Sequence, residues 1–407
     1  LHHKNANGSY GSVVVAASFL VQAALVGAIF SYSVFFDALY TEFGWSRAVI
    51  SGAASLTSLV MGTAAMVLGR LSDRLGPRPI LSCAAVLFSC GYFLMSRISA
   101  PWQLYVSYAL LVGVGFASHD VVTLSTVARW FNRRRGQVSG IVKTGAATGQ
   151  VLVPPAVAFL IAAFGWRSAF VWMAAVSGPL VAIAAQFLRA PPVPEDQRDP
   201  KAAAARARQS TETGRNAMRT PAFRWICTAQ LTVVFCMLTV IVHIVPYATD
   251  MGVSRGVAAG VLSTIGAVSA IGRLTAGGVI DRIGARITLL SCYSLMLAAF
   301  VMLQFTYTPV LLYAFAVVYG VAHGGTFTSV APLIAEFFGT RAHGQLFGTV
   351  VFVGTIAGAL GPVVAGGMFD LIGTYRPVFL FLILLLALAV FAMTRLAVHE
   401  PQRSRSA

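Results

Sequence analysis

Among the ionisable side chains inside long apolar stretches of this sequence are His119, Asp120, Lys143 and Arg273. An arginine embedded in hydrocarbon costs several kcal/mol unless it has a partner or a task, so Arg273 is a functional candidate by position alone. A guanidinium binds carboxylates bidentately and keeps its charge at any working pH. Lys143 is the only lysine within an apolar stretch. Asp120 and Lys143 are expected to pair, since neither is readily buried alone. That pair could be a structural clamp or a proton-linked switch. At the helical rise, Asp120 lies ~12 Å inside its neighbouring charged turn, Lys143 ~10 Å and Arg273 ~12 Å. His119 lies ~100° round the helix from Asp120, so one of the two can face a cavity while the other packs. A histidine beside a carboxylate can donate to it or share its proton. Ser269 and His323 are further candidate donors, and Phe30, Tyr32 and Phe352 could flank the apolar tail of a small acid. His243 precedes Pro246 and reads as a gate or packing residue.

Helices must hold these groups. The 407 residues are 57% hydrophobic and 10% charged, against ~25% charged in a soluble domain. About twelve stretches reach the ~20 residues a bilayer span needs. They run roughly 12–36, 47–69, 79–97, 101–127, 136–164, 167–189, 223–248, 255–280, 287–306, 308–335, 344–372 and 377–398. They lack period-2 alternation, which selects helices over barrel strands. The formal charge of +16 does not mark a nucleic-acid binder, because it is concentrated in short turns on alternate sides of the spans. Arg70, Arg74, Arg78, Arg129, Arg133, Arg134, Arg135, Arg282 and Arg286 share one side; Asp37, Glu42, Asp250 and Asp370 fall on the other. The positive-inside rule then makes both termini cytoplasmic, and no cleavable leader is expected before the first span. The five cysteines lie in apolar stretches without metal-ligand spacing and read as small core residues. Neither a metal nor another cofactor is expected. Metalloprotease, nucleophile-elbow and phosphate-loop motifs are lacking, so an enzyme is not expected either.

The chain repeats itself. Gly69–Arg78 (GRLSDRLGPR) returns as Gly277–Arg286 (GGVIDRIGAR), in the frame G-x-x-x-D-R-x-G-x-R. Glu42–Arg47 pairs with Asp250–Arg255, Gly136-Gln137 with Gly344-Gln345, Gly140 with Gly348, and Gly165 with Gly373. Every pair is separated by 208 residues. Two parallel six-helix halves follow, 1–190 and 223–407, related by an axis along the membrane normal. Residues 191–222 join them as a polar linker, either a tether that happens to be helical or a helix lying at the lipid headgroups. The tail beyond Glu400 is expected to be disordered.

Twelve spans in two halves, with this motif after spans 2 and 8, resemble the major facilitator superfamily. The resemblance implies an all-α membrane fold and a cytoplasmic gate at Gly69, Asp73, Arg74, Gly76, Arg78 and Gly277, Asp281, Arg282, Gly284, Arg286. The glycines would permit close helix approach, and the aspartates would cap helices or pair with arginines of the neighbouring turn. Trp130–Gly149 (WFNRRRGQVSGIVKTGAATG) resembles the fifth-span signature of monocarboxylate transporters, relatives of oxalate–formate exchangers. Asn7–Ser12 is similar to a worn form of that family's first-span signature. Arg273 falls where the family's carboxylate-binding arginine stands. Two departures prevent a copied proton relay: Ser269 replaces an aspartate, and the family's first-span lysine aligns near Phe30. The eleventh span also lacks the lysine of the oxalate exchangers.

The expectation is a secondary carrier of the cytoplasmic (inner) membrane for small monocarboxylates such as lactate or pyruvate, working as a monomer by alternating access. Arg273 would hold the carboxylate, with His119, Lys143, Ser269, Phe30, Tyr32, His323 and Phe352 around it. Proton symport through Asp120 or His119 would remove the penalty of moving a lone anion against the membrane potential, ~2.3 kcal/mol per charge per 100 mV. Exchange of organic anions, including aromatic acids, is the rival within the class. A transporter-like membrane sensor is the rival outside it.

Overall fold

The computed structural model describes residues 2–131, 133–191, 200–306 and 308–396. Within them the secondary structure is helical throughout, as a chain immersed in hydrocarbon requires, because helices satisfy their own backbone polar groups. α1 (His2–Phe30) turns at Ser31 into a short helix, Tyr32–Phe43. α2 (Arg47–Leu75), α3 (Pro77–Met95) and α4 (Pro101–Trp130) follow. The helix Arg135–Phe187 contains Gly165 at φ 79°, a conformation outside the helical range. That glycine divides it into α5 (135–164) and α6 (166–187). The second half repeats the order: α7 (Pro221–Asp250), α8 (Arg255–Ile283), α9 (Ala285–Gln304), α10 (Pro309–Phe338), α11 (His343–Ile372) and α12 (Arg376–Thr394). Among the described residues, eleven continuous helices are long and apolar enough to cross a membrane. The break at Gly165 makes twelve spans, so the expected fold class holds.

The motif glycines Gly76 and Gly284 have φ of 84° and 86°. Each lets one span stop and the next begin within a single residue, at a backbone conformation that L side chains rarely adopt. α4 contains a wider-wound π-helical stretch, Tyr105–Val112. Within it, Tyr108 stacks on Tyr32 at 4.1 Å.

The two halves meet along α2 with α11 and along α5 with α8. Glycine makes both contacts possible. A Cβ on Gly69 would overlap the Gly344 carbonyl, and one on Gly277 the Gly136 carbonyl. One turn further in, Gly348 faces the Ala65 carbonyl and Gly140 the Arg273 carbonyl. These pairs obey the same 208-residue offset, so one interface is built twice.

The linker contains a helix, Pro200–Met218, which crosses from α2 to α11. Arg74 Nη2 donates to Thr211 Oγ1 at 2.7 Å, and Ser210 Oγ donates to the Arg341 carbonyl at 2.8 Å. It therefore bridges both halves on the face that carries the repeated motif, here called the motif face. Residues 192–199 and the tail past Glu400 lie outside the described residues. The cysteines divide: Cys236 and Cys292 are buried, Cys227 is half-buried, and Cys83 and Cys90 are exposed. The core reading therefore fails for Cys83 and Cys90, which lie on the outer surface of α3.

Adjacent glycines of α8 provide a test. Gly278 has open space where Gly277 has none. Gly277→Ala is expected to lower unfolding free energy in detergent by about 1–3 kcal/mol. Gly278→Ala is expected to be neutral or to stabilise by up to about 1 kcal/mol through helix propensity. Thermal unfolding of the two purified variants compares them directly.

A charged floor beneath an apolar cavity

α2, α4, α5, α7, α10 and α11 enclose a cavity of about 690 Å³ between the halves. Its wall runs from Phe347, near the motif face, to Ala54 and Val363, toward the opposite face. His119, Asp120 and Lys143 lie on this wall. Lys143 Nζ donates to both Asp120 carboxylate oxygens at 2.6 Å, the pair expected from the sequence. Gln22 of α1 adds a donor to Asp120 Oδ1 at 2.7 Å. His119 stands 3.6 Å from Asp120 Oδ2 through Nε2, and its Nδ1 lies 2.7 Å from the Phe116 carbonyl. The imidazole stacks on the Phe116 ring at 4.1 Å.

Arg273 lies one layer behind, buried at 7% exposure. Its Nη1 donates to the Lys143 carbonyl at 3.1 Å, which joins α8 to α5 at the charged floor. Its Nε is buried without a hydrogen-bond partner. The Phe327 ring of α10, itself on the wall, faces both cations: Lys143 Nζ is 5.4 Å and the Arg273 guanidinium 5.7 Å from its centroid. Both contacts are within cation–π range. Ser269, one turn before Arg273, shares a 2.9 Å hydrogen bond with His323 Nδ1, and neither side chain reaches the cavity wall.

The remaining aromatic candidates also lie off the wall. Phe30 ends α1, half exposed. Tyr32 is buried within the first half, donating to the Ile50 carbonyl at 2.8 Å. Phe352 is displaced because Val351 takes the wall position, and consecutive helical residues point ~100° apart. Phe116, Phe327 and Phe347 supply the aromatic surface instead. His243 ties three segments together, through Tyr375 Oη at 3.0 Å and the Pro362 carbonyl at 2.9 Å. Gln22 and Phe327 were missed in the sequence. Gln22 did leave a trace there, as an amide in the middle of the first apolar stretch; a phenylalanine among 27 leaves none.

On the motif face, each half caps a helix of the other. Asp73 of α2 accepts the backbone N–H groups of Gly344 and Gln345 at 3.0 and 2.8 Å, at the start of α11. Asp281 of α8 accepts those of Gly136 and Gln137 at 2.7 and 2.9 Å, at the start of α5. A carboxylate at a helix N-terminus gains from orphan donors and from the helix dipole. Asp73 also pairs with Arg129 of α4. Arg78 donates to the Gln186 carbonyl at the end of α6, and Arg286 to the Thr394 carbonyl at the end of α12. Arg282 is exposed. His343, the first residue of α11, is buried between Ser125 Oγ and the Ala331 carbonyl, each at 2.9 Å.

Two parallel six-helix halves around a central cavity, joined on one face by reciprocal aspartate caps, are the architecture of a membrane transporter. The chain matches the Major Facilitator Superfamily over residues 18–280 and 244–407, and it belongs to that family. It is similar to monocarboxylate transporter 12 of Mus musculus, at 26% identity over 92% of this chain and 82% of the relative. Monocarboxylate transporter 13 of Rattus norvegicus is 29% identical over 92% and 86%. The fold superposes on the fucose:proton symporter of E. coli with a TM-score of 0.73, at 15% identity over 93% of this chain and 98% of that one. This is therefore a multi-pass membrane transporter of the monocarboxylate-transporter-like branch.

The floor predicts its own energetics. Removing one partner of a buried ion pair costs about 3–5 kcal/mol, more than removing both. Lys143→Met is expected to destabilise strongly, and Lys143→Met combined with Asp120→Leu to recover more than half of that loss. A double-mutant cycle by chemical unfolding in detergent measures it.

Proposed function

We propose that this chain carries monocarboxylates across the cytoplasmic membrane together with a proton, lactate and pyruvate being the smallest of its cargoes. One observation carries the reading. Two cations, Lys143 and Arg273, lie at the floor of an apolar cavity with a single carboxylate, Asp120, which pairs with Lys143 and leaves one positive charge uncompensated. A monocarboxylate supplies the missing charge, and the unpartnered Arg273 Nε is a donor ready for it.

The proton step follows from competition. A substrate carboxylate drawn to Lys143 and Arg273 takes part of Lys143 from Asp120. Asp120, less compensated in a low-dielectric site, then gains affinity for a proton, with His119 beside it as relay. Gln22 Oε1 lacks a partner, and by turning its amide Gln22 can accept from a protonated Asp120. Proton and anion together cross without net charge. The arginine-rich turns argue that the motif face is cytoplasmic. With the latch closed there, the cavity serves the outside, and release of Asp73 and Asp281 from α11 and α5 opens the inner route. A single copy encloses the site, so the monomer suffices.

Reconstitution into proteoliposomes tests both parts. Labelled lactate uptake should raise external pH, and Arg273→Gln should lower uptake at least thirtyfold, equivalent to about 2 kcal/mol or more. Full transport by Arg273→Gln would remove the carboxylate assignment. Uptake without alkalinisation would remove proton coupling.

A further inference from the structure

The cavity is much larger than its charged floor needs. At about 690 Å³ it falls within the ~300–1,000 Å³ typical of pockets that bury drug-sized ligands. Lactate, with a few heavy atoms of its own, leaves most of that volume to water. The surface above the floor is unsuited to holding water. Met61, Phe116, Met237, Phe327, Phe347 and Val351 form a sleeve around the entrance to Lys143. Of the four hydroxyls on the wall, three are already engaged with their own helices, Ser55 being the fourth. Ser58 donates to the Ala54 carbonyl at 3.2 Å, Thr326 to Ala322 at 2.8 Å and Thr355 to Val351 at 3.0 Å. Such back-bonding uses up the donor of each side chain. Apart from the Gln230 amide of α7 and the Ser55 hydroxyl of α2, the polar groups that meet a ligand therefore sit at the charged floor, and most of its body meets aromatic rings, thioethers and aliphatic carbon. Methionine adapts to irregular apolar shapes, and aromatic rings contribute large contact areas.

We propose that the preferred occupant is an amphipathic monocarboxylate with a bulky apolar body, aryl or branched alkyl. Its carboxylate lies at the Lys143–Arg273 floor and its body fills the sleeve toward α2, α7 and α11. This rests on the monocarboxylate reading and narrows it. A small hydroxy acid meets the same cations but leaves the sleeve wet, forfeiting the burial that separates one acid from another. A dicarboxylate would set its second charge against the sleeve, where the described wall offers it no cation.

The test is competition for labelled lactate uptake in proteoliposomes, with protein-free liposomes as the control for passive entry. The series is acetate, lactate, 4-methyl-2-oxopentanoate, phenylacetate and 3-phenylpropanoate at one pH. Inhibition constants should fall about fourfold for each buried methylene equivalent, with 3-phenylpropanoate at least thirtyfold tighter than acetate. Val351→Trp, which narrows the sleeve, should weaken 3-phenylpropanoate at least tenfold more than it weakens acetate. A flat series, or one in which lactate binds tightest, overturns the proposal while leaving a monocarboxylate carrier intact. Equal weakening of both acids by Val351→Trp also overturns it. Failure of every acid to compete removes the carboxylate reading and this inference together.

Discussion

The reciprocal capping of helix N-termini is the interaction on which the arrangement depends. The first N–H groups of a helix have no intrahelical acceptor and need one when buried. In this protein the acceptor for α11 is Asp73 and the acceptor for α5 is Asp281, each from the opposite half. The caps are therefore not internal to a folding unit. They are satisfied only while the halves are together on the motif face, and glycine at positions 69, 136, 277 and 344 lets the backbones come that close. The two latches differ in strength. Asp73 also holds Arg129, whereas the corresponding residue for Asp281, 208 positions on, is Phe337. The linker helix adds a bridge on the stronger side, from Arg74 of α2 to the start of α11.

Closure on one face defines where charge can be left exposed to a ligand. The helices converge below Phe347 and part above it, and His119, Asp120 and Lys143 lie where they part. The ion pair there is confined to one half, α4 to α5. Arg273 comes from the other half and reaches the pair through the Lys143 carbonyl. The same α5–α8 contact thus carries the Asp281 cap at one end and the Arg273 contact about two turns further in. Cap and buried cation therefore share one helix pair.

Much of this was legible in the sequence, because a bilayer reduces the possible architectures to a few. Length and apolarity locate the spans, and the 208-residue offset gives the two halves. Rarity identifies the charges: one lysine, one arginine and one aspartate buried among apolar residues must find one another. What could not be read concerns helix rotation and layer. Phe30, Tyr32 and Phe352 were plausible lining residues, but composition does not say which face of a helix a phenylalanine occupies. A displacement of one residue, from 351 to 352, turns a side chain off the wall. Phe327 illustrates the converse. It is one of many aromatic residues, and only the three-dimensional arrangement puts its ring under two cations. The partners of Asp73 and Asp281 were also hidden, since backbone N–H groups leave no mark in a sequence.

Position 273 shows how far the internal symmetry extends. Its equivalent in the first half is Ala65. Both residues perform the same backbone task, each presenting its carbonyl to a glycine of the partner half, Gly348 for Ala65 and Gly140 for Arg273. Both are buried. The scaffold is thus symmetric to the level of a single carbonyl, and the difference begins at Cβ. A methyl group at one copy completes a close helix contact and adds a small apolar patch to the cavity wall. A guanidinium at the other projects from the same contact toward Lys143 and the Phe327 ring. A site with two guanidiniums would hold three cations around Asp120 and would suit a dianion. With one, the excess is a single charge, and the remaining surface is apolar. Chemical asymmetry is thus built onto a backbone contact that both halves share.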